Sequence, residues 1–127
     1  MPYRALVVFT RKPDESPAVF EKHFEQDIIN IIKNNAGDTF PTSHTRMYVK
    51  RSEEPGYPAD IIVGEQEDFP FDGISIIEFE DEAAAKRFMA KIEVPEARKT
   101  MEGKLGVPIH SKGRAVLLSG TYTTTKD

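Results

Sequence analysis

From Thr42 to Arg51 the sequence reads TSHTRMYVKR, and its strict alternation admits one regular structure, a strand. Successive strand side chains point to opposite faces, so His44, Arg46 and Tyr48 share one side and Thr45, Met47 and Val49 the other. The first side carries an imidazole, a guanidinium and a phenol roughly 6.6 Å apart, twice the rise per residue, a spacing at which three groups can line one small-molecule pocket. An exposed strand face with ordinary polar residues fits the same pattern, so the rest of the chain has to decide.

Tyr3–Thr10 (YRALVVFT) is β-branched and aromatic and ends at the turn-like RKPDESP, which predicts a buried first strand. Ser16 followed by Pro17 gives an N-cap and a proline at the first helical position. Val19, Phe20, His23, Phe24, Asp27, Ile28, Ile31 and Ile32 recur at helical spacing, so the first helix runs to about Asn35 and stops at Gly37. His23 and Asp27 stand four apart on that stripe, so they face inward and can touch. Such a pair is either a core histidine held by its carboxylate or an acid/base dyad lining a pocket.

After the alternating strand, SEEPGYPAD is a surface loop, and Ile61–Val63 reads as a minor extra strand or an extended segment ended by Gly64. Ile74–Glu80 alternates as a further strand. A second helix capped by Asp81 follows, with Phe88, Met89 and Ile92 on one side. Pro95 opens a short helix through Lys104, and Gly113–Thr125 closes the sheet.

The order β-α-β-β-α-β, with the central strands joined by a loop, specifies an α+β, ferredoxin-like plan with an antiparallel sheet and both helices on one face, in one domain over residues 1–127. The second sheet face is partly apolar and no chain remains to cover it. A second copy supplies the cover, giving a homodimer whose sheets pack face to face as a dimeric α+β barrel. Net charge −4 leaves no basic stripe for nucleic acid or an anionic membrane. With no cysteine there is no disulfide, thiolate metal site or Cys nucleophile. The N-terminal apolar run is too short for a signal or a membrane span, which makes the cytoplasm the expected compartment. Three histidines without H-x-H or H-E-x-x-H spacing predict no metal site.

The motifs RKPxxSPxxFxxHF in Arg11–Phe24, GDTFPTSHTRMYVKR, ADIIVGEQEDFPFD and GISIIEFEDEAAAKRFMAKIEVPEA together resemble the EthD-domain family, particularly its fungal branch beside polyketide synthases. The resemblance spans Tyr3 to about Thr121. It implies a dimeric α+β barrel shared with cofactor-free polyketide cyclases and anthrone-type monooxygenases. His44 and Arg46 fall in the family's S-H-T-R motif, Asp72 on its acidic residue before the third strand, and His23 on its helix histidine. The family's second helix histidine is replaced by Ile28, and its C-terminal D-E-x-x-F-x-D-R run by GKLGVPIHSKGR, with His110 nearby.

These residues suffice for chemistry without a cofactor. His44 near neutral pKa can move a proton, and Tyr48 and Arg46 can stabilise an enolate or phenolate oxygen. Phe20 and Phe24 can hold an aromatic ring. The expected activity is therefore that of a cofactor-independent lyase or cyclase on an aromatic polyketide. His44, Tyr48, Asp72 and His23 are its candidate catalytic residues; Arg46, Phe20, Phe24, Asp27 and His110 are candidates for substrate binding. The alternatives are a cofactor-free anthrone-type monooxygenase and a non-catalytic small-molecule-binding or stress-response module.

Overall fold

The computed structural model describes residues 2–92 and 114–126. Strand β1, Tyr3–Phe9, lies where the β-branched run placed it. Helix α1, Pro17–His23, starts as its first residues dictate, with Ser16 Oγ accepting the Val19 N–H at 3.2 Å. It runs through one π-helical turn, Phe24–Ile28, into α2, Ile29–Ala36. Gly37 then ends the helix at φ +58°, in the left-handed region that glycine adopts without a steric penalty.

The π turn follows from the spacing of the buried residues. Phe20, Phe24, Ile28 and Ala36 are the buried positions, and Ile32 packs against the same clusters, so the period is four throughout. Four residues of regular α-helix turn through about 400°, which would rotate the stripe by about 40° at every step. The wider π turn takes up part of that drift and keeps the stripe on the sheet.

Strands β2, Ser43–Tyr48, and β3, Gly73–Phe79, are joined by a long excursion, and α3, Glu82–Ile92, leads on towards β4, Arg114–Leu118. Asp81 caps α3 as expected, its Oδ1 accepting the Ala84 N–H at 2.8 Å. The sheet order is β2-β3-β1-β4 with every neighbour antiparallel, which is the ferredoxin-like arrangement. Both core clusters lie on one face, where α1 and α2 meet Phe9 and Tyr48, and where α3 meets Phe79 through Phe88. The register puts Leu6, Val8, Met47, Ile74, Ile76 and Val116 on the opposite face, where Met47 is 49 % and Val116 58 % exposed.

Three expectations change. Ile61–Val63 forms no strand; the isolated bridge of the excursion pairs Arg51 with Ala59, and Ile62 and Val63 are exposed. The reason is local, because Gln66 braces Ala59 through both its amide atoms at 2.9 and 3.0 Å and bends the chain there. Met89 lies off the buried side of α3, which Phe88 and Ala85 occupy. The closing strand ends at Leu118, and 119–126 carries no regular structure. The helix expected over Pro95–Lys104 lies outside the described residues.

Gly73 stands opposite both Phe9 and Tyr48 in the sheet, and its missing side chain lets their rings meet edge to face at 6.2 Å. A Cβ there would lie 2.2 Å from Phe9 Cε2. Gly73→Ala therefore forces the packed Phe9 ring aside and should lower stability by about 1–3 kcal/mol in urea unfolding. An unchanged midpoint would mean that the ring yields freely.

Candidate functional site

The polar face of β2 turns towards the helices. His44 lies with its ring stacked on Phe40 at 6.1 Å. Arg46 reaches the π turn, with Nε 2.6 Å from Glu25 Oε2 and Nη2 2.9 Å from Oε1. Its Nη1 lies 3.1 Å from both His44 Nδ1 and the His44 carbonyl oxygen. Tyr48 donates its hydroxyl to Glu25 Oε2 at 2.5 Å. Four polar side chains from two elements thus make one connected cluster, with Arg46 21 % and Glu25 37 % exposed.

The cluster sets protonation. Burial, and then the Arg46 guanidinium, push the His44 imidazole down to about 4, so it is neutral at pH 7. The hydrogen bond from Arg46 holds the Glu25 carboxyl below the usual carboxylate range, and the same contact raises Arg46. Burial, followed by the bond to Glu25, pushes the Tyr48 phenol well up, so it stays a donor. The site offers a neutral imidazole, an ionised carboxylate and an intact phenol side by side.

The other expected residues are placed elsewhere. Phe20 and Phe24 pack with Phe9 and Tyr48 in an aromatic cluster, Phe9 and Phe24 stacked at 4.5 Å and 15°. His23 and Asp27 do pair, Nε2 to Oδ2 at 3.3 Å, but on the helix flank, where Asp27 is 45 % exposed. The buried stripe runs one residue further on, through Phe24 and Ile28. Glu15 approaches the other ring nitrogen of His23 at 3.5 Å, which ties the pair to the loop before the helix.

Asp72 is buried at 5 % exposure. Its carboxylate accepts the Arg11 backbone N–H at 3.0 Å and Arg11 Nε–H at 3.1 Å. Arg51 Nε lies 2.8 Å away but off the line of its N–H, an ionic contact rather than an aligned hydrogen bond. Arg51 also donates to the carbonyls of Tyr57, Phe69 and Phe71, so Asp72 clamps the base of the β2–β3 excursion. A cleft of about 250 Å³ opens beside it, lined by Phe20, Glu21, Tyr48 and Lys50 among others. His110 lies outside the described residues.

Glu25 is the residue that the sequence reading missed. The available signal was its place beside Phe24 in a stripe whose strict period of four demands a wide turn.

Residues 12–102 match the EthD domain. The chain belongs to the EthD-domain family. Among solved structures it is similar to an ethyl tert-butyl ether D family protein of Bacillus halodurans, at 10 % identity and TM-score 0.55, covering 95 % of this chain and 100 % of that one. A mutant of SnoaB, a cofactor-independent oxygenase of Streptomyces nogalater, aligns at 16 % identity and TM-score 0.53 over 96 % and 95 %. A dimeric ferredoxin-like protein of unknown function from Jannaschia aligns at 16 % and 0.51 over 94 % and 100 %. These likenesses establish the shared fold. No curated protein sequence matches the chain. No helix among the described residues is long and apolar enough to cross a membrane.

The lowered His44 value carries a stability signature. Unfolded, the ring takes its proton near 6.5, and folded near 4, so the unfolded state binds more protons between those values. Stability from this group is complete above pH 6.5 and is lost as pH falls towards 4. His44→Gln should flatten the pH dependence of chemical denaturation between pH 4.5 and 6.5. An identical slope in both proteins would contradict a neutral buried imidazole.

Proposed function

We propose that this EthD-domain protein is an enzyme of aromatic polyketide tailoring, a lyase or cyclase of the fungal polyketide-cluster kind, working through an enolate or phenolate without a cofactor. The observation that carries the reading is the cluster of His44, Arg46, Tyr48 and Glu25, where a neutral imidazole and a phenolic donor share the half-buried sheet–helix junction. In a β-keto carboxylate, the C–C bond pair becomes the enolate C=C bond and the carbonyl π pair moves onto the ketone oxygen as CO2 leaves, and the enolate later takes a proton at carbon from water. A donor beside that oxygen stabilises the developing charge. Aldol closure and dehydration pass through the same enolate, so the cluster serves each of them. Asp72, His23, Asp27, Phe20 and Phe24 support the site from further out, as clamp, flank pair and aromatic wall.

The second reading is a cofactor-free monooxygenase, favoured by the fold shared with SnoaB. A third, a binding module that turns nothing over, uses the same site as a carrier. Incubation with an aromatic β-keto acid, read by mass spectrometry, separates them: loss of CO2 or water supports the lyase, an isomer the cyclase, gain of oxygen with O2 uptake the oxygenase, and unchanged compound the module. His44→Ala should lower kcat by about 10²-fold with the fold retained. Wild-type turnover in that variant would remove His44 from the mechanism.

We also infer a cytoplasmic homodimer, with the apolar face of Leu6, Val8, Met47, Ile74, Ile76 and Val116 as its isologous interface. Light scattering should give twice the 14.3 kDa chain mass, and Met47→Glu should shift it to the monomer. A monomeric wild type at micromolar concentration would overturn the interface.

A further inference from the structure

Arg46 links Glu25 to His44, and the chemistry of the guanidinium gives the link a direction. A guanidinium has five N–H donors and no acceptor. Its contact at 3.1 Å with His44 Nδ1 is therefore a hydrogen bond only if Nδ1 is unprotonated and accepts. A second hydrogen on the same Nη1 goes to the His44 carbonyl oxygen at 3.1 Å, which fixes the guanidinium over the backbone of the residue that it orients. Glu25 holds the opposite edge of the guanidinium through both carboxylate oxygens, at 2.6 and 2.9 Å, so the group cannot rotate away without breaking a bidentate pair.

We propose that Glu25 and Arg46 act as positioning residues that lock His44 as the neutral Nε2–H tautomer, so that His44 presents a hydrogen-bond donor, not a base, to a ligand oxygen. The inference deepens the function proposed above and rests on it for the ligand class: a ketone, enolate or phenolate oxygen that accepts from Nε2–H. Among the described residues no partner occupies Nε2, so that donor is unspent. The groups facing the ring support the assignment. Arg46 on the same strand and Glu25 from the π turn are the charged ones, while Phe40, stacked on the ring, and Ile77, paired with His44 across β3, carry no charge. Burial and the adjacent cation both disfavour a second ring proton, which agrees with a value pushed down to about 4. No proton leaves the ring in this role. The phenol of Tyr48, bound to the same carboxylate, is held as a second donor.

The test needs no substrate. In protein carrying 15N-labelled histidine, the His44 signals are assigned by their loss in His44→Gln. They should show a pyridine-type Nδ1 and a pyrrole-type Nε2 at pH 7, unchanged from pH 5.5 to 8. Arg46→Met removes the donor and the cation, so the ring should populate both tautomers and titrate nearer 6.5. Glu25→Gln weakens the anchor and should admit the second tautomer to a smaller extent, but it removes a negative charge that favours the ring proton, so the titration should not move towards 6.5. If either variant fails to fold, the wild-type signals decide alone. A wild-type ring protonated at Nδ1, an imidazolium at pH 7, or folded variants whose ring signals do not move would each overturn the proposal. A ring in the expected state in a protein that turns over no aromatic β-keto acid would sink the enzymatic reading and leave the tautomer lock standing.

Discussion

The stacking of Phe24 on Phe9 fixes how the first helix is rotated about its own axis, and the site depends on that rotation. Phe24 sits at the start of the π turn, between Phe20 and Ile28, and all three rest on the sheet. Once Phe24 is seated, the next residue in the chain has no choice of direction. Glu25 stands over β2, where Arg46 and Tyr48 meet it. An apolar contact therefore positions the charged one. Burial of two aromatic rings, each worth a few kcal/mol, far outweighs the 0–1 kcal/mol typical of a part-exposed ion pair. The ion pair is better understood as a consequence of the packing than as its cause.

The architecture was legible because it rests on period. Alternation in TSHTRMYVKR placed His44, Arg46 and Tyr48 on one face, and the structure has them there, turned to the helices. Ser16, Pro17 and Gly37 marked the ends of the first helix by chemistry that needs no tertiary context. The failures share a different origin. Ile61–Val63 is apolar enough for a strand, but a strand needs a neighbour, and Gln66 takes the backbone of Ala59 before one can form. The four internal contacts of Arg46, read from the sequence as a substrate-binding cation, depend on where the first helix lies and so were not legible either. Glu25 was invisible to a 3.6-residue period because the turn that presents it is wider than that.

His23 shows how near a correct spacing can come to the wrong face. The i,i+4 relation to Asp27 holds, and the contact forms. What spacing could not supply was the phase of the stripe, which Phe24 and Ile28 claim one residue later. Glu15, from the loop before the helix, then completes a part-buried arrangement of two carboxylates about one ring. The pair ties loop to helix, and among the described residues it stands apart from the His44 cluster.

Two carboxylates in this fold meet arginine, and their surroundings separate their roles. Asp72, 6 % exposed in its side chain, has donors from Arg11 and a close Arg51, while Arg51 gives three of its other hydrogens to carbonyls. Every charge there is enclosed and committed, so moving any part would leave a buried charge unpaired, a change that typically costs 3–5 kcal/mol. Such a group holds a loop in place. Glu25, at 37 %, is far more open than Asp72. Its arginine ends on the acceptor nitrogen of a neutral imidazole and its second donor is an intact phenol, so the polarity of the cluster points outward as donors. A ligand oxygen carrying developing negative charge is what such an arrangement stabilises, and that electrostatic sense, more than the presence of a histidine, is what the proposed function rests on at the His44 face.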